Sequence, residues 1–338
     1  MVRIIVQRVL LMGLILIGVI TVTFFLSRVL PGSPVEMMLG AKPTAEQIAK
    51  AEEELGLNKP LVQQYGIFLK KAAQGNFGDS LITGRPVTED VYLRATATLE
   101  LVTLALMLAL MVGLPLGVKA AVKKETLLDH SVRMGSVAAV AIPVFFLGLL
   151  LQIFFAGVLN LLPLQGRIDS GVLLDSPFQR VTGFYLIDTL VAGEFGAFAS
   201  TVRHLLLPVI TLSLASTASI VRITRSTMIE AMQQDYIQTV RAYGIEQTDI
   251  HYRYALKATL IPLLTVVGLT YGFMLGGSII VEYVFDWPGV GGYMVQALLN
   301  NDFPAVIGVT FFVAFAYLSI NLIVDLLYHV LDPRLRKS

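Results

Sequence analysis

The sequence predicts an all-α membrane protein with six transmembrane helices, and three observations carry that expectation. First, the chain of 338 residues is 55% hydrophobic and only 14% charged, where soluble domains carry about 25% charged residues. Second, uncharged apolar runs recur at 9–27, 101–118, 134–159, 205–221, 258–281 and 303–324. Each approaches or exceeds the ~20 residues that cross a hydrocarbon core as a helix. Third, a backbone in lipid must satisfy its own amides and carbonyls, which makes such runs helices rather than open strands.

The opening run follows Arg3 and Arg8 but is longer than a signal-peptide core, and no A-x-A-like site follows it. It is expected to stay as an anchor. With six spans both termini share a side, and basic residues decide which. Arg3, Arg8, Lys119, Lys123, Lys124, Arg133, Arg222, Arg225, Arg241, Arg253, Lys257, Arg334, Arg336 and Lys337 all fall on the terminal side, whereas 282–302 holds no Lys or Arg. Short loops rich in Lys and Arg stay inside, so both termini are expected to be cytoplasmic.

This sets the domain plan. Residues 1–30 are the first span, 31–96 an outer helical segment, 97–328 a five-helix core and 329–338 a tail, with a charged insert at 222–257. Within 31–96, Thr44 and Gln47 have capping-box spacing and Gly56 stands at a helix stop. A second short amphipathic helix is expected to end near Gly75. The segment reads equally as a solvated cap or as a docking platform.

Much chemistry is excluded. There is no cysteine, so neither disulfides nor Cys-zinc sites can form. The net charge of +1 gives no basic surface for nucleic acid. No G-x-x-x-x-G-K-[ST] occurs, so the chain lacks a P-loop, and neither H-E-x-x-H nor G-x-S-x-G is present. The chain is therefore not expected to be an enzyme or to bind a metal or cofactor itself. Arg28, Glu100 and Asp325 lie in or beside the spans. Arg28 and Glu100 are placed at span ends within reach of water, and Asp325 suits a pair with a basic neighbour.

Other features concern a pathway. Gly268, Gly272 and Gly276 form a doubled small-xxx-small face on the fifth span. Ser213, Ser216 and Thr217 put hydroxyls on the fourth span, either bonded to their own helix or lining a solute cavity. Pro115, Pro143, Pro208 and Pro262 fall within the spans, where proline kinks are ordinary. Trp287, the single tryptophan, precedes Pro288, Gly289, Gly291 and Gly292. An interfacial anchor is the simplest expectation for it, while the glycines also suit a tight re-entrant turn.

The insert reads as helix, glycine turn, helix. Thr227 and Glu230 have capping-box spacing, Ile229, Met232, Tyr236, Val240 and Tyr243 form an apolar stripe, Gly244 marks an end and Thr248 a new cap. Such a stripe suits either a membrane surface or a protein partner.

From "DYIQTVRAYG", nine residues and "YALKATLIP", the chain resembles inner-membrane permeases of binding-protein-dependent ABC importers, in the peptide and nickel branch. The segments "LGLNKPLVQQY", "GNFGDS", "ATATLEL", "AIPVFFLG", "LPLQGR", "VTGFYLIDT", "VFDWPGVGGYMVQAL" and "VDLLYHVLDPR" extend the resemblance in order along nearly the whole chain. It implies the type I ABC importer permease fold in a bacterial inner membrane, and import of short peptides, with dipeptides favoured. The implied partners are a homologous permease subunit, two ABC ATPase subunits holding ATP and Mg, a periplasmic substrate-binding protein and membrane lipid. Gln238, Thr239 and Val240 fall on the family's E-A-A triplet, so Gln238 departs from the usual acid, Val240 is bulkier than alanine and Lys257 replaces a proline. Gln238, Arg241, Ala242, Tyr243, Gly244 and Leu256 are then expected to form the ATPase-coupling loop. Ser213, Ser216, Thr217, Gly268 and Gly272 would line the path, and Trp287, Pro288 and Gly289 would face the binding protein. The alternative from another class is a secondary transporter or channel acting as a homo-oligomer without ATPases.

Overall fold

The computed structural model describes residues 2–29, 44, 59–175 and 177–331. Every regular element among them is helical. The capping box expected at Thr44–Gln47 and the stop at Gly56 involve residues outside this set. The chain divides into two compact units, Met1–Thr98 with Pro288–Leu318, and Leu99–Trp287 with Ser319–Ser338.

The first unit contains α1 (Val2–Val29) and α2 (Leu61–Ala73). The second element is the short helix expected before Gly75, and that glycine has φ +74, which suits a residue without a Cβ. The two helices meet through Phe24, stacked on Phe68 with ring centroids 5.2 Å apart, and through a 2.6 Å hydrogen bond between Thr21 Oγ1 and the Tyr65 hydroxyl. The unit also holds the start of α3 (Val87–Val122), the helix at Val290–Leu299 (α12 below), and the first half of the helix at Phe303–Leu331 (α13). Val87, Val91, Ala95, Val290, Tyr293, Ala297, Ala305 and Val309 form its buried core.

The second unit holds the rest of α3, then α4 (Leu127–Ala141) and α5 (Val144–Leu151), which continues as a π-helical turn at Gln152–Val158. Two short helices follow, α6 (Ser170–Asp175) and α7 (Tyr185–Val191). Next come α8 (Phe195–Met232), α9 (Asp235–Ala242), α10 (Gln247–Asp249), a second π-helical turn at Ile250–Ala255, and α11 (Leu256–Val284). Helix α8 is central, packing against α4, α5, α7 and α11.

Five helices are long and apolar enough to cross a membrane, in the segments Ile5–Leu26, Val87–Val122, Phe195–Met232, Gln247–Val284 and Phe303–Tyr328. The run at 134–159 makes the sixth span only as a bent pair and not as one continuous helix. It is divided between two helical arms, Leu127–Ala141 and Val144–Val158, bent by 99°. Ile142 and Pro143 are both extended, with ψ 122° and 134°. Proline pushes the residue before it out of the helical region, and here nothing restores the helix across it. Pro115, Pro208 and Pro262 sit inside continuous helices.

Glycine packing also falls elsewhere than the sequence suggested. A Cβ at Gly113 would lie 2.8 Å from Ile220 Cγ2, and one at Gly117 2.6 Å from Thr224 Cβ and 2.9 Å from the Val221 carbonyl. This pair, one turn apart on α3, lets the backbones of α3 and α8 approach. Of the expected face on α11, Gly268 lies against Asn321 and Val324 of α13, while a Cβ at Gly276 would meet nothing within 4 Å. Replacing Gly117 by Leu should therefore cost about 1–3 kcal/mol of overpacking and lower the thermal midpoint in detergent. Gly276→Ala should leave that midpoint unchanged.

Candidate functional site

The stretch between α8 and α11 builds a projecting loop. Helix α8 runs through Thr227, whose hydroxyl donates to the Ile223 carbonyl at 2.9 Å. The Thr227–Glu230 pair is thus a helix interior and not the start that its spacing suggested. The chain turns at Gln233 and Gln234, whose amides donate to the Glu230 and Ala231 carbonyls. Helix α9 then runs to Ala242 and stops where predicted, with Gly244 at φ +75 and its amide on the Arg241 carbonyl at 3.0 Å. The next helix is entered at Glu246, two residues before Thr248, which lies inside α10.

Three of the five residues of the expected apolar stripe, Ile229, Met232 and Val240, are covered by the chain itself, around a core whose α9 residue, Ile237, the stripe did not include. Ile237 of α9 is fully buried with Met228 and Ala231 of α8, Val118 and Ala121 of α3, and Ile250 and Ala255 of the π turn. Ile229, Met232, Val240, Ile245 and Leu256 pack around this core. Gln238, Arg241, Ala242, Tyr243 and Gly244 face outward, with Tyr243 82% exposed. Five of the six predicted coupling residues therefore share an exposed surface. The sixth, Leu256, supports it from within.

Two of the three candidate hydroxyls of α8 are turned to their own helix. Ser213 donates to the Ile210 carbonyl at 3.1 Å and Thr217 to the Ser213 carbonyl at 2.8 Å. Ser213 is buried, while Ser216 and Thr217 are half-buried. Gly268 is buried and Gly272 half-buried on α11, which packs against α8.

Trp287 is 2% exposed and so is not an interfacial anchor. Its amide donates to the Glu282 carbonyl at 2.8 Å, after Asp286 adopts φ +46. Gly289 is extended and caps α12, and Gly291 and Gly292 are helical rather than part of a loose turn.

Glu100 likewise does not reach water. Its Oε2 accepts from Arg167 Nη2 at 2.5 Å, and its Oε1 accepts the Leu186 amide at 2.9 Å. Arg167 also donates to the Gly183 carbonyl at 2.8 Å, lies 3.7 Å over the Tyr185 ring and 5.7 Å from that of Trp287. Asp188 accepts the amides of Thr182 and Gly183 at 2.9 Å, fixing the same turn. The strings "ATATLEL", "LPLQGR", "VTGFYLIDT" and the tryptophan of "VFDWPG" thus meet in one buried knot.

In the first unit two further carboxylates anchor the loop before α3. Asp302 accepts from Ser80 Oγ at 2.6 Å, and Asp90 accepts from Thr83, Arg85 and Arg94. Tyr293 donates to Asp90 at 3.3 Å, and burial pushes its phenol up to about 12, so it remains a donor at neutral pH. Sequence reasoning missed these networks and the Asp129–Arg225 pair on α4 and α8. An acidic residue in the first turn of an apolar helix, Asp90 in α3 and Asp129 in α4, was the available signal. Asp325 is half-buried on α13, and the Arg28 side chain is outside the described set.

The arrangement defines a multi-span helical membrane protein, with a compact loop that presents one short helix outward. Comparison with known proteins agrees. A family described as "Binding-protein-dependent transport system inner membrane component" matches residues 113–337, and its N-terminal counterpart matches residues 1–101. The chain belongs to this family, the multi-pass inner-membrane permease components of ABC importers. It is 39% identical to the dipeptide transport system permease protein DppB of Alkalihalophilus pseudofirmus, over 98% of each chain. It is 41% identical to the di/tripeptide transport system permease protein DppB of Pseudomonas aeruginosa, over 94% of each. It is also 41% identical to a probable D,D-dipeptide transport system permease protein DdpB of Escherichia coli, over 96% of each. Among solved structures, an inward-facing MetNI methionine ABC transporter shares the fold with TM-score 0.52 and 16% identity, over 72% of this chain and 96% of that one. The fold is that of the type I ABC importer permeases.

The buried knot sets a stability test. Removing one partner of a buried, hydrogen-bonded ion pair costs about 3–5 kcal/mol, because the other charge is left uncompensated. Arg167→Ala and Glu100→Ala should each lower the thermal midpoint in detergent strongly. The double variant should lower it by less than the sum of the two.

Proposed function

We propose that this chain is the permease half of an ATP-driven importer of short peptides, with dipeptides as the favoured solute. The observation that carries the reading is the pairing of an outward-facing α9, seated on its own apolar core, with near full-length relatives named for dipeptide and di/tripeptide transport. A homologous permease completes the pathway, and two ATPase subunits supply the energy. A periplasmic binding protein delivers the peptide. Both termini and α9 lie in the cytoplasm in this reading, which the concentration of Lys and Arg in the short segments on that side supports.

In this reading α9 is the coupling helix. Gln238, Arg241, Ala242, Tyr243 and Gly244 enter a groove of an ATPase subunit, and closure of the ATPases displaces the loop. The helices then rock between outward and inward access as rigid bodies. Gln238 is neutral, so the seat depends on shape and on Arg241 rather than on an acidic residue at that position. Ser213, Ser216 and Thr217 on α8 with Gly268 and Gly272 on α11 line the path, Gly268 from the side of α11 that packs on α13. Thr217, which is half-buried, directs its hydroxyl proton to the Ser213 carbonyl and leaves lone pairs for the solute, while Ser213 is buried. The turn at Trp287, Pro288 and Gly289 shapes the periplasmic face while the indole itself stays inside.

Purification of the tagged chain in mild detergent should bring down a second multi-span subunit and P-loop ATPases in near-stoichiometric amounts. Proteoliposomes of that complex, given the binding protein, should then take up labelled dipeptide with ATP. Isolation of the chain alone, or only with itself, would sink the reading. Gly244→Val puts a β-branched residue at φ +75, a conformation costing about 1–2 kcal/mol for L-residues, and should abolish uptake with membrane insertion intact. Ser213→Leu should reduce uptake without loss of ATPase assembly.

A further inference from the structure

A second buried ion pair lies beside the core that seats α9. Arg225 of α8 grips Asp129 of α4 with two bonds, Nε to Oδ1 at 2.5 Å and Nη2 to Oδ2 at 2.7 Å. The Asp129 side chain is fully buried and that of Arg225 19% exposed. The fork-to-fork arrangement fixes orientation as well as distance, which a single contact would not. Asp129 Oδ2 also accepts the amide of Glu125 at 3.0 Å, and Glu125 has φ +65. One carboxylate therefore holds both the turn between α3 and α4 and the last third of α8.

Its position gives this pair a mechanical meaning. Met228 and Ala231, one and two turns beyond Arg225, are buried in the core with Ile237 of α9 and Ile250 of the π turn. Asp129 lies in the first turn of α4, which runs to the break at Ile142–Pro143. Displacement of α9 reaches α8 through its apolar core. It reaches the bent α4–α5 arms through Arg225 and Asp129, close to the loop.

We infer that the Asp129–Arg225 pair is a joint that makes the coupling end of α8 and the start of α4 move as one body. Both are positioning residues, acting through α9 and the bent arms rather than on solute or nucleotide. The inference rests on the proposed importer function and adds to it the residues that carry the stroke.

The chain has no cysteine, so a labelled pair can be introduced cleanly. Spin labels at Leu127→Cys on α4 and Glu230→Cys on α8, both exposed positions, report the distance across the joint in the full transporter in nanodiscs. In the otherwise unaltered chain the distance distribution should be the same without nucleotide and with the ATPases trapped by ATP and vanadate. In Asp129→Asn or Arg225→Gln it should broaden and shift on trapping, with the complex still assembled. The same variants should hydrolyse roughly tenfold more ATP per alanyl-alanine imported, within the range that coupling free energies span. The swap Asp129→Arg with Arg225→Asp restores the pair and should recover part of that loss, while the change of label distance on trapping is the readout that a merely structural defect would not move.

If the neutral variants fail to accumulate, Asp129→Glu keeps the charge and displaces the oxygens, and the same criteria apply. A distance that changes on trapping in the unaltered joint overturns the inference. So do variants with an unchanged distance and an unchanged ratio of ATP to peptide. Failure of ATPases to bind the unaltered chain overturns the importer reading itself, and the joint falls with it.

Discussion

The close approach of α3 and α8 at Gly113 and Gly117 is the contact on which the second unit depends. In lipid, apolar side chains gain little by leaving one hydrocarbon environment for another, so helices associate through packing and hydrogen bonds. Two glycines one turn apart bring the α3 backbone onto Ile220, Val221 and Thr224. With that distance set, α8 presents its other faces to α4, α5, α7 and α11. Beyond the contact, Arg225, Met228 and Ala231 continue on the same helix toward the loop. The fold is organised around a strut whose position is set by the absence of two side chains.

These buried carboxylates are satisfied in clusters. Glu100 is buried with Arg167, Asp129 with Arg225, and Asp90 with Arg94 and the more exposed Arg85. Each carboxylate also accepts a further hydrogen bond from a backbone or side-chain donor. A carboxylate in a low-dielectric setting is tolerated only with this degree of satisfaction. The clusters fix irregular backbone: the loop before α3, the turn at Thr182–Gly183, and the left-handed Glu125. The apolar spans give length and direction, while these ion pairs give the connections their shapes.

Much of this was legible in the sequence. Hydropathy located the spans because helix length in a bilayer is a geometric necessity, and Gly244 ended α9 because its backbone conformation excludes most side chains. The family motifs were legible as strings, but not as the single knot that several of them build. Glu100 and Arg167 are 67 positions apart, and no local pattern joins them. Trp287 suited an interfacial anchor until the Arg167 guanidinium was found near its ring. Thr227 and Glu230 had the spacing of a helix start, but α8 continues through them, held by core packing at Met228 and Ala231. The run at 134–159 has the hydropathy of one span and makes a sixth when its two arms count together, but hydropathy sums composition and cannot see the bend between them.

That break carries a consequence for the membrane itself. Pro143 has no amide proton to offer the carbonyl of Ala139, and the extended backbone at Ile142 and Pro143 interrupts the helical ladder inside an apolar sequence. Acyl chains can donate nothing to carbonyls stranded in this way, so non-helical backbone at such depth persists only against protein or water. Wherever the elbow between α4 and α5 lies within the hydrocarbon, its free carbonyls need a donor from a partner subunit or from solvent, because lipid supplies none.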